Sequence, residues 1–479
     1  MIKMRVSEAA RLLGTNHIGP DGVFQGCGID SRVLSAGAMF IALRGQRRDG
    51  HDFVDLAVAR GAAAAMVERS GDHGLLPIVK VRDCYRALGQ LAAIWRSRFE
   101  RPLIAITGSN GKTTVKELLA GILGNHGPTH ATQGNLNNEL GVPLTLLELD
   151  QKYHWAVVEM GANHSSEIMR LARMARPTVG VITRCAPAHL EGFGDIEGVA
   201  RAKGELVENL SDTGVAVINA DDPYAGLWCE LAGHRRRITF GLDNPADVSA
   251  DYRLMPDRTQ LSLKTPIGSQ RTQISLPGRH NVLNALAATA AAIAVGCFHE
   301  ESRDSAYHAP TPLSFSKEMG TQHRHFLEAI ATGLMSAGSV DGRLQIKRTQ
   351  SGARIIDDTY NANPDSLAAA MKVLANYLEP RWLVLGDMGE LGKQGPELHK
   401  QAGILARELG ITRLFATGTL CRYTVEAFGF GGHHYVDPEQ LLHTVRTALM
   451  EGATAKRTTI LVKGSRHMRM ERIADGLLV

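Results

Sequence analysis

The run from Thr107 to Thr114, TGSNGKTT, carries the residue types that hold a polyphosphate. Gly108 and Gly111 free the backbone so that successive N–H groups can face phosphate oxygens. Lys112 offers an ammonium to the outer phosphates, and the Thr113 hydroxyl suits Mg²⁺. Ser109, Asn110 and Thr114 complete the loop. The common phosphate-loop pattern has another glycine five residues before the glycine of the Gly-Lys pair, and Ile106 stands there, so this loop is a shortened one. A glycine turn with an exposed lysine would share the composition. It would not require the strand-like run IAIT before the loop or the amphipathic run from Thr113 after it.

Three more residues could join that chemistry. Glu159 closes the apolar run WAVVE, and a carboxylate at a strand end can hold the Mg²⁺ that phosphates also hold, or it can cap a helix. His189 follows the strand-like run VGVIT; taken alone it reads as a structural histidine more readily than as a metal ligand. Lys203 lies in a helical stretch whose apolar face is Val199, Leu206 and Val207, and alone it would be a solvated lysine.

The elements that must position these residues fall into three regions. Residues 1–100 hold short strands and helices and read as an α/β substrate domain. Residues 101–338 alternate apolar strands (IAIT, WAVVEM, VGVIT, AVINA) with helices, which predicts a P-loop-type, mostly parallel sheet flanked by helices. Residues 339–479 restart the alternation with RIIDD, RWLVLGDM, RLFATG and TILVKG and read as a second, Rossmann-like α/β domain. The fold class is therefore α/β.

Composition bounds the function. A hydrophobic share of 44% and a charged share of 21% are those of an ordinary globular chain. The formal net charge of +4 is too slight to argue for nucleic acid, though it allows local basic patches for small anions. The six cysteines are dispersed without CxxC or zinc spacing, which fits a reducing compartment. No secretory apolar region opens the chain and no segment is long enough to span a membrane, so a cytoplasmic protein is expected. A monomer is expected as well.

Taken together, the motifs are similar to those of the Mur ligase family, the ATP-dependent amide ligases of peptidoglycan precursor synthesis. TGSNGKTT resembles the family's shortened loop, and AHLEGFG and ARAKGE match its histidine and lysine positions. GNLNNELGVPLTLLEL from Gly134, EMGANHSSEI from Glu159, DDTYNANPDSLAAA from Asp357, VLGDMGELG from Val384 and LVKGSRHMRMERI from Leu461 resemble the branch that adds D-alanyl-D-alanine. The resemblance runs from about residue 28 to residue 473.

It implies ATP and Mg²⁺ as cofactors, and UDP-N-acetylmuramoyl-tripeptide (UDP-MurNAc-tripeptide) and D-Ala-D-Ala as partners. It implies catalytic roles for Lys112, Lys203 and His189. Thr113, Glu159, His189 and a carbamylated Lys203 would be the metal ligands; an ammonium beside Mg²⁺ would be repelled, whereas a carbamate is an anion. ATP would be bound by Thr107 to Thr114, by Asn284 and Asn281 at the adenine, by Arg343 at a phosphate and by Asp358 at the ribose. Asn281 and Asn284 lie three apart on one helical face, and helix capping remains open for Asn281.

In the first domain Ser31, Arg32 and Arg44 would meet the UDP end, since guanidinium groups suit a diphosphate. Arg47 and Arg48 belong to the same basic group, with a solvated face as their alternative. Asn135, Asn138, Ser465 and Arg466 are candidates for peptide contacts. Asn361 and Asn363 are candidates too, or they serve a turn before Pro364.

Two relatives of this chemistry compete: a Mur ligase adding the third amino acid, and a folylpolyglutamate synthase-like enzyme. DDTYNANP argues against the first and the DSR run from Asp30 against the second. A P-loop ATPase switch is a reading of another class; it would not need the Lys203 segment. A binding protein without catalysis would be expected to lack Lys112, Glu159 or Lys203, and all are present. Residues 299–325 read as a polar, Pro-containing inserted surface loop. Its four histidines are spaced too irregularly to argue for a metal.

Overall fold

The structure is a computed structural model; it describes every residue except 46, 70, 72–73, 302–319, 339, 452–454 and 479. The core of the chain is a six-stranded, wholly parallel sheet in the order Arg236–Phe240, Val215–Asn219, Val179–Ile182, Leu103–Thr107, Trp155–Glu159, Thr129–Ala131. Its four inner strands are mostly apolar and buried along their whole length because helices cover both faces. Along Leu103–Thr107 the side chains alternate: Leu103 and Ala105 pack into the core shared with the first domain. Ile104 and Ile106 pack into the opposite core, beneath the helices Lys112–Gly124 and Arg279–Glu301. The chain leaves Leu103–Thr107 towards one edge and later returns to build the other. The phosphate loop therefore sits at the topological switch point, where open α/β sheets bind ligands.

The first domain carries a five-stranded sheet, His17–Ile18, Ile78–Lys80, Ala64–Val67, Met39–Ile41 and Cys27–Gly28, parallel except at its first pair. A three-stranded antiparallel sheet, Ser249–Leu254, Thr259–Thr265 and Gly268–Ile274, extends the central domain. The third domain has a six-stranded sheet ordered Gln345–Arg348, Arg354–Asp358, Thr459–Lys463, Arg381–Gly386, Arg413–Thr417, Gly432–Tyr435. Only its first pair is antiparallel. The three-domain α/β architecture is the expected one. The helix after the phosphate loop starts at Lys112.

The stretch 299–325, expected as a loop, is helical at both its ends. The alanine-rich helix Arg279–Glu301 runs into it, and the helix Gly320–Ser336 covers its far end. Its middle, with His308, lies outside the described residues.

Candidate active site

The phosphate loop is braced from behind. The Ser109 N–H donates to the Arg184 carbonyl at 2.8 Å, the Thr183 hydroxyl donates to the Asn110 carbonyl at 2.5 Å, and the Ser109 hydroxyl donates to the Ala186 carbonyl at 2.9 Å. Both loop glycines are required by geometry. Gly108 has φ +146 and a Cβ there would stand 2.0 Å from Thr183 Oγ1; Gly111 has φ +84 and its Cβ would stand 2.4 Å from Asn284 Oδ1. The Lys112 ammonium folds onto the Gly108 carbonyl at 2.6 Å. Its enclosure lowers the lysine pKa, against the pull of the Glu159 charge. Thr107 is fully buried and donates to the Met160 carbonyl at 2.9 Å; Thr113 and Thr114 are both buried in the first helical turn.

A cleft of about 740 Å³ opens over the loop. Lys112, Glu159, His189 and Lys203 line it from the central domain, and Arg343, Asn361, Ser465 and Arg466 from the third; Asn135 and Asn138 close one end. Glu159 is 2% exposed. Its Oε1 accepts from Asn137 Nδ2 at 2.7 Å, while its Oε2 is buried without a hydrogen-bond partner. His189 stands on left-handed backbone (φ 52), and its Nδ1 lies against the carboxylate of Glu390, another left-handed residue (φ 60), without hydrogen-bond geometry; the two form an ion pair only when the imidazole is protonated. Lys203 is 2% exposed, with its ammonium nitrogen 5.3 Å from the centre of the Phe193 ring. Burial, aided by the charge of Lys112, pushes its pKa down to about 7.

A second cavity of about 420 Å³ adjoins the first; Asn110, Gly111, Arg343 and Ser366 line both. Thr114, Asn281, Asn284 and Asp358 line the second. Asn284 Nδ2 donates to Asn281 Oδ1 at 3.0 Å, so the two asparagines do share a face, while Asn281 Nδ2 is taken by the Pro277 carbonyl at 2.9 Å, at the helix start. Asp358 accepts from the buried Lys463 ammonium at 2.5 Å. The Arg343 guanidinium lies 4.2 Å from the centre of the Tyr360 ring. Across the domain boundary Asn363 Nδ2 donates to Asn110 Oδ1 at 2.8 Å. Asp365 accepts from Asn110 Nδ2 at 3.0 Å and from Arg184 at 2.8 Å. Asn363 also caps the helix Pro364–Ala375, so its turn role and its place in the cleft coexist.

The first-domain candidates stand apart. Ser31 is buried, Arg32 pairs with Asp30 at 2.6 Å, Arg44 pairs with Glu68 at 3.4 Å, and none of them lines either cavity. Asn138 Oδ1 accepts from the N–H groups of Leu140 and Gly141, which commits that oxygen to the start of the helix Gly141–Leu147. Sequence reasoning passed over Asn137, Glu390, Asp365 and Lys463. Asn137 lies within the GNLNN run, where alternating asparagines gave no way to rank them. The others meet their partners only across the fold.

This constellation is that of a family. The first domain matches the model "Mur ligase family, catalytic domain" over residues 23–96, the second "Mur ligase middle domain" over 106–292, and the third "Mur ligase, glutamate ligase domain" over 342–466. The chain belongs to the Mur ligase family. Among individual relatives it is similar to the UDP-N-acetylmuramoyl-tripeptide–D-alanyl-D-alanine ligase of Escherichia coli (strain K12). The identity is 38%, over all of this chain and 99% of that protein. A crystal structure of MurF from Acinetobacter baumannii superposes with a TM-score of 0.86 at 33% identity, covering 98% of each chain. MurF ligase from Thermotoga maritima, solved in complex with ADP, superposes with a TM-score of 0.76 at 25% identity over 95% of this chain and 97% of that one.

Proposed function

We propose that this chain joins D-alanyl-D-alanine to UDP-MurNAc-tripeptide with ATP, giving UDP-MurNAc-pentapeptide, ADP and phosphate. The observation that carries the reading is the convergence of Lys112, Glu159, His189 and Lys203 on one cleft whose far wall comes from the third domain. Residues 1–100 hold the UDP end through Ser31, Arg32 and Arg44, residues 101–338 hold ATP, and residues 339–479 bring Arg343, Asn361, Ser465 and Arg466 to the reacting ends. The enzyme works as a cytoplasmic monomer; among the described residues no helix is long and apolar enough to cross a membrane.

The tripeptide's terminal carboxylate attacks the γ-phosphate of ATP, the bond to ADP breaks, and an acyl phosphate forms. The amine of D-Ala-D-Ala then attacks the acyl carbon, loses a proton, and phosphate leaves. Lys112 shifts from the Gly108 carbonyl to the transferred phosphoryl group, where its charge offsets the charge that develops. Adenine lies by Asn284 and Asn281, and the ribose by Asp358. The residues fit a divalent cation: Glu159 Oε2 is buried and unpartnered, and carboxylate and hydroxyl oxygens are the donors a hard cation takes. Glu159, Thr113, His189 and a carbamylated Lys203 would hold Mg²⁺, which when bound neutralises phosphate charge. With a pKa near 7, Lys203 presents the neutral amine that attack on CO₂ requires. Closure of the third domain over the cleft excludes water from the acyl phosphate.

The test is phosphate release from ATP with each substrate omitted in turn, with product mass recorded. Release that needs both substrates, with a pentapeptide product, is expected. Release without either, and no coupled product, would return the chain to the ATPase reading.

A further inference from the structure

Lys116 is a lysine 2% exposed for which the mechanism above has no use. It stands four residues beyond Lys112 and three beyond Thr113 on the helix Lys112–Gly124, on the same face. Its ammonium donates to the Thr132 carbonyl at 2.7 Å and pairs with Glu117 at 2.6 Å. Thr132 is 1% exposed; its hydroxyl accepts from the Glu159 N–H at 3.0 Å, and its own N–H donates to the Val157 carbonyl at 3.0 Å. Asn137, on the same loop, donates to Glu159 Oε1 at 2.7 Å and accepts from the Gly161 N–H at 2.8 Å.

The backbone of Glu159 is thus held by Thr132 and its carboxylate by Asn137, and the loop carrying both is anchored by Lys116. One carboxylate oxygen is spent on this arrangement. The other, Oε2, is left buried with no hydrogen bond. An apolar side chain at position 116 would fill the space without the desolvation cost of an ammonium. What the ammonium adds is a tie from the phosphate-loop helix to the loop whose Thr132 and Asn137 hold Glu159.

We propose that Lys116 and Asn137 are positioning residues which fix Glu159 so that a single carboxylate oxygen faces a divalent cation. The inference rests on the reading of Glu159 as a metal ligand. Groups of this kind commonly change metal affinity about 10–100-fold when removed.

The experiment measures Mn²⁺ binding to the full chain by electron paramagnetic resonance, below the melting temperature of each variant. Wild type is compared with Glu159→Gln, Asn137→Ala, Lys116→Met and Lys116→Arg. The expected result is strong loss in Glu159→Gln, roughly tenfold weaker binding in Asn137→Ala and Lys116→Met, and partial recovery in Lys116→Arg. Asn137 is only half-buried, so its variant keeps the test open if Lys116→Met does not fold. Loss in Glu159→Gln with wild-type Mn²⁺ affinity in folded Asn137→Ala and Lys116→Met would overturn the inference and leave the ligand reading standing. Lower melting temperatures in those two variants without weaker binding would overturn it in the same way. Unchanged binding in Glu159→Gln would overturn the ligand reading and the inference with it.

Discussion

Lys112 and Lys203 face one cleft, and their surroundings separate them. Lys112 keeps a carbonyl partner and feels the opposing charge of Glu159, which supports its ammonium. Lys203 is enclosed beside the Lys112 charge and is pushed to a pKa of about 7. Replacing Lys112 by Ala should lower kcat by about 10²–10³, the usual cost of removing one donor from a developing charge, in a phosphate-release assay. The pKa of Lys203 sets a second expectation. Its folded pKa of about 7 lies below the ordinary value of 10.5, so between those values the unfolded chain binds the extra proton. Stability contributed by this group therefore rises as pH climbs through that window, and the full penalty applies below it. Urea midpoints measured in CO₂-free buffer at pH 7 and pH 9 should differ less in Lys203→Met than in wild type. With ¹³C-labelled bicarbonate at pH 8, a carbamate resonance should appear in wild type and vanish in that variant.

At the scale of elements, the ends of helices do much of the positioning. The buried Arg96, last residue of the helix Cys84–Arg96, donates to the carbonyls of Ala175 at 2.7 Å, Arg176 at 3.2 Å, and Phe99. It closes the C-terminus of the helix Glu167–Ala175 and joins the first domain to the second. Arg96→Met would leave those carbonyls unsatisfied while relieving a buried charge. The net loss should be about 2–3 kcal/mol by urea titration. Gly111 is the turn from which the helix Lys112–Gly124 starts, and Gly111→Ala would push Asn284 aside. Nucleotide affinity should fall by tenfold or more and the strained backbone should lower the melting temperature; calorimetric titration with ADP below that temperature checks it. By contrast, the buried group Asp387, His399 and Cys421 has donor atoms of metal-ligand type but spends them internally. His399 uses both ring nitrogens, on the Gly395 carbonyl and the Met388 N–H, so it reads as structural.

For the whole molecule, the decisive feature is that the phosphate loop touches the third domain. Asn110 exchanges hydrogen bonds with Asn363 and donates to Asp365, and Asp365 also pairs with Arg184. The ion pair is partly exposed and by itself worth about 0–1 kcal/mol. Arg184→Ala should therefore shift domain arrangement only slightly. Asp365→Ala removes the ion pair and the loop contact together, so it should raise the radius of gyration seen by small-angle scattering and raise the KM for ATP, leaving the melting temperature nearly unchanged.

What the sequence determined by itself was local. A strand, a glycine loop and a helix are consecutive in the chain, so TGSNGKTT declares its fold and chemistry together. The alternation of apolar runs with helices likewise makes the central and third sheets legible in the sequence, because strand and helix periods are local properties. The tertiary structure decided which groups meet. Glu390 beside His189, Asp365 beside Asn110 and Lys463 beside Asp358 each join residues about a hundred or more positions apart. Only chain folding brings such pairs within hydrogen-bonding range. The choice of Asn137 over its neighbours Asn135 and Asn138 as the partner of Glu159 was also tertiary. Three asparagines on one loop have the same chemistry, and only the path of the backbone turns one of them towards the carboxylate.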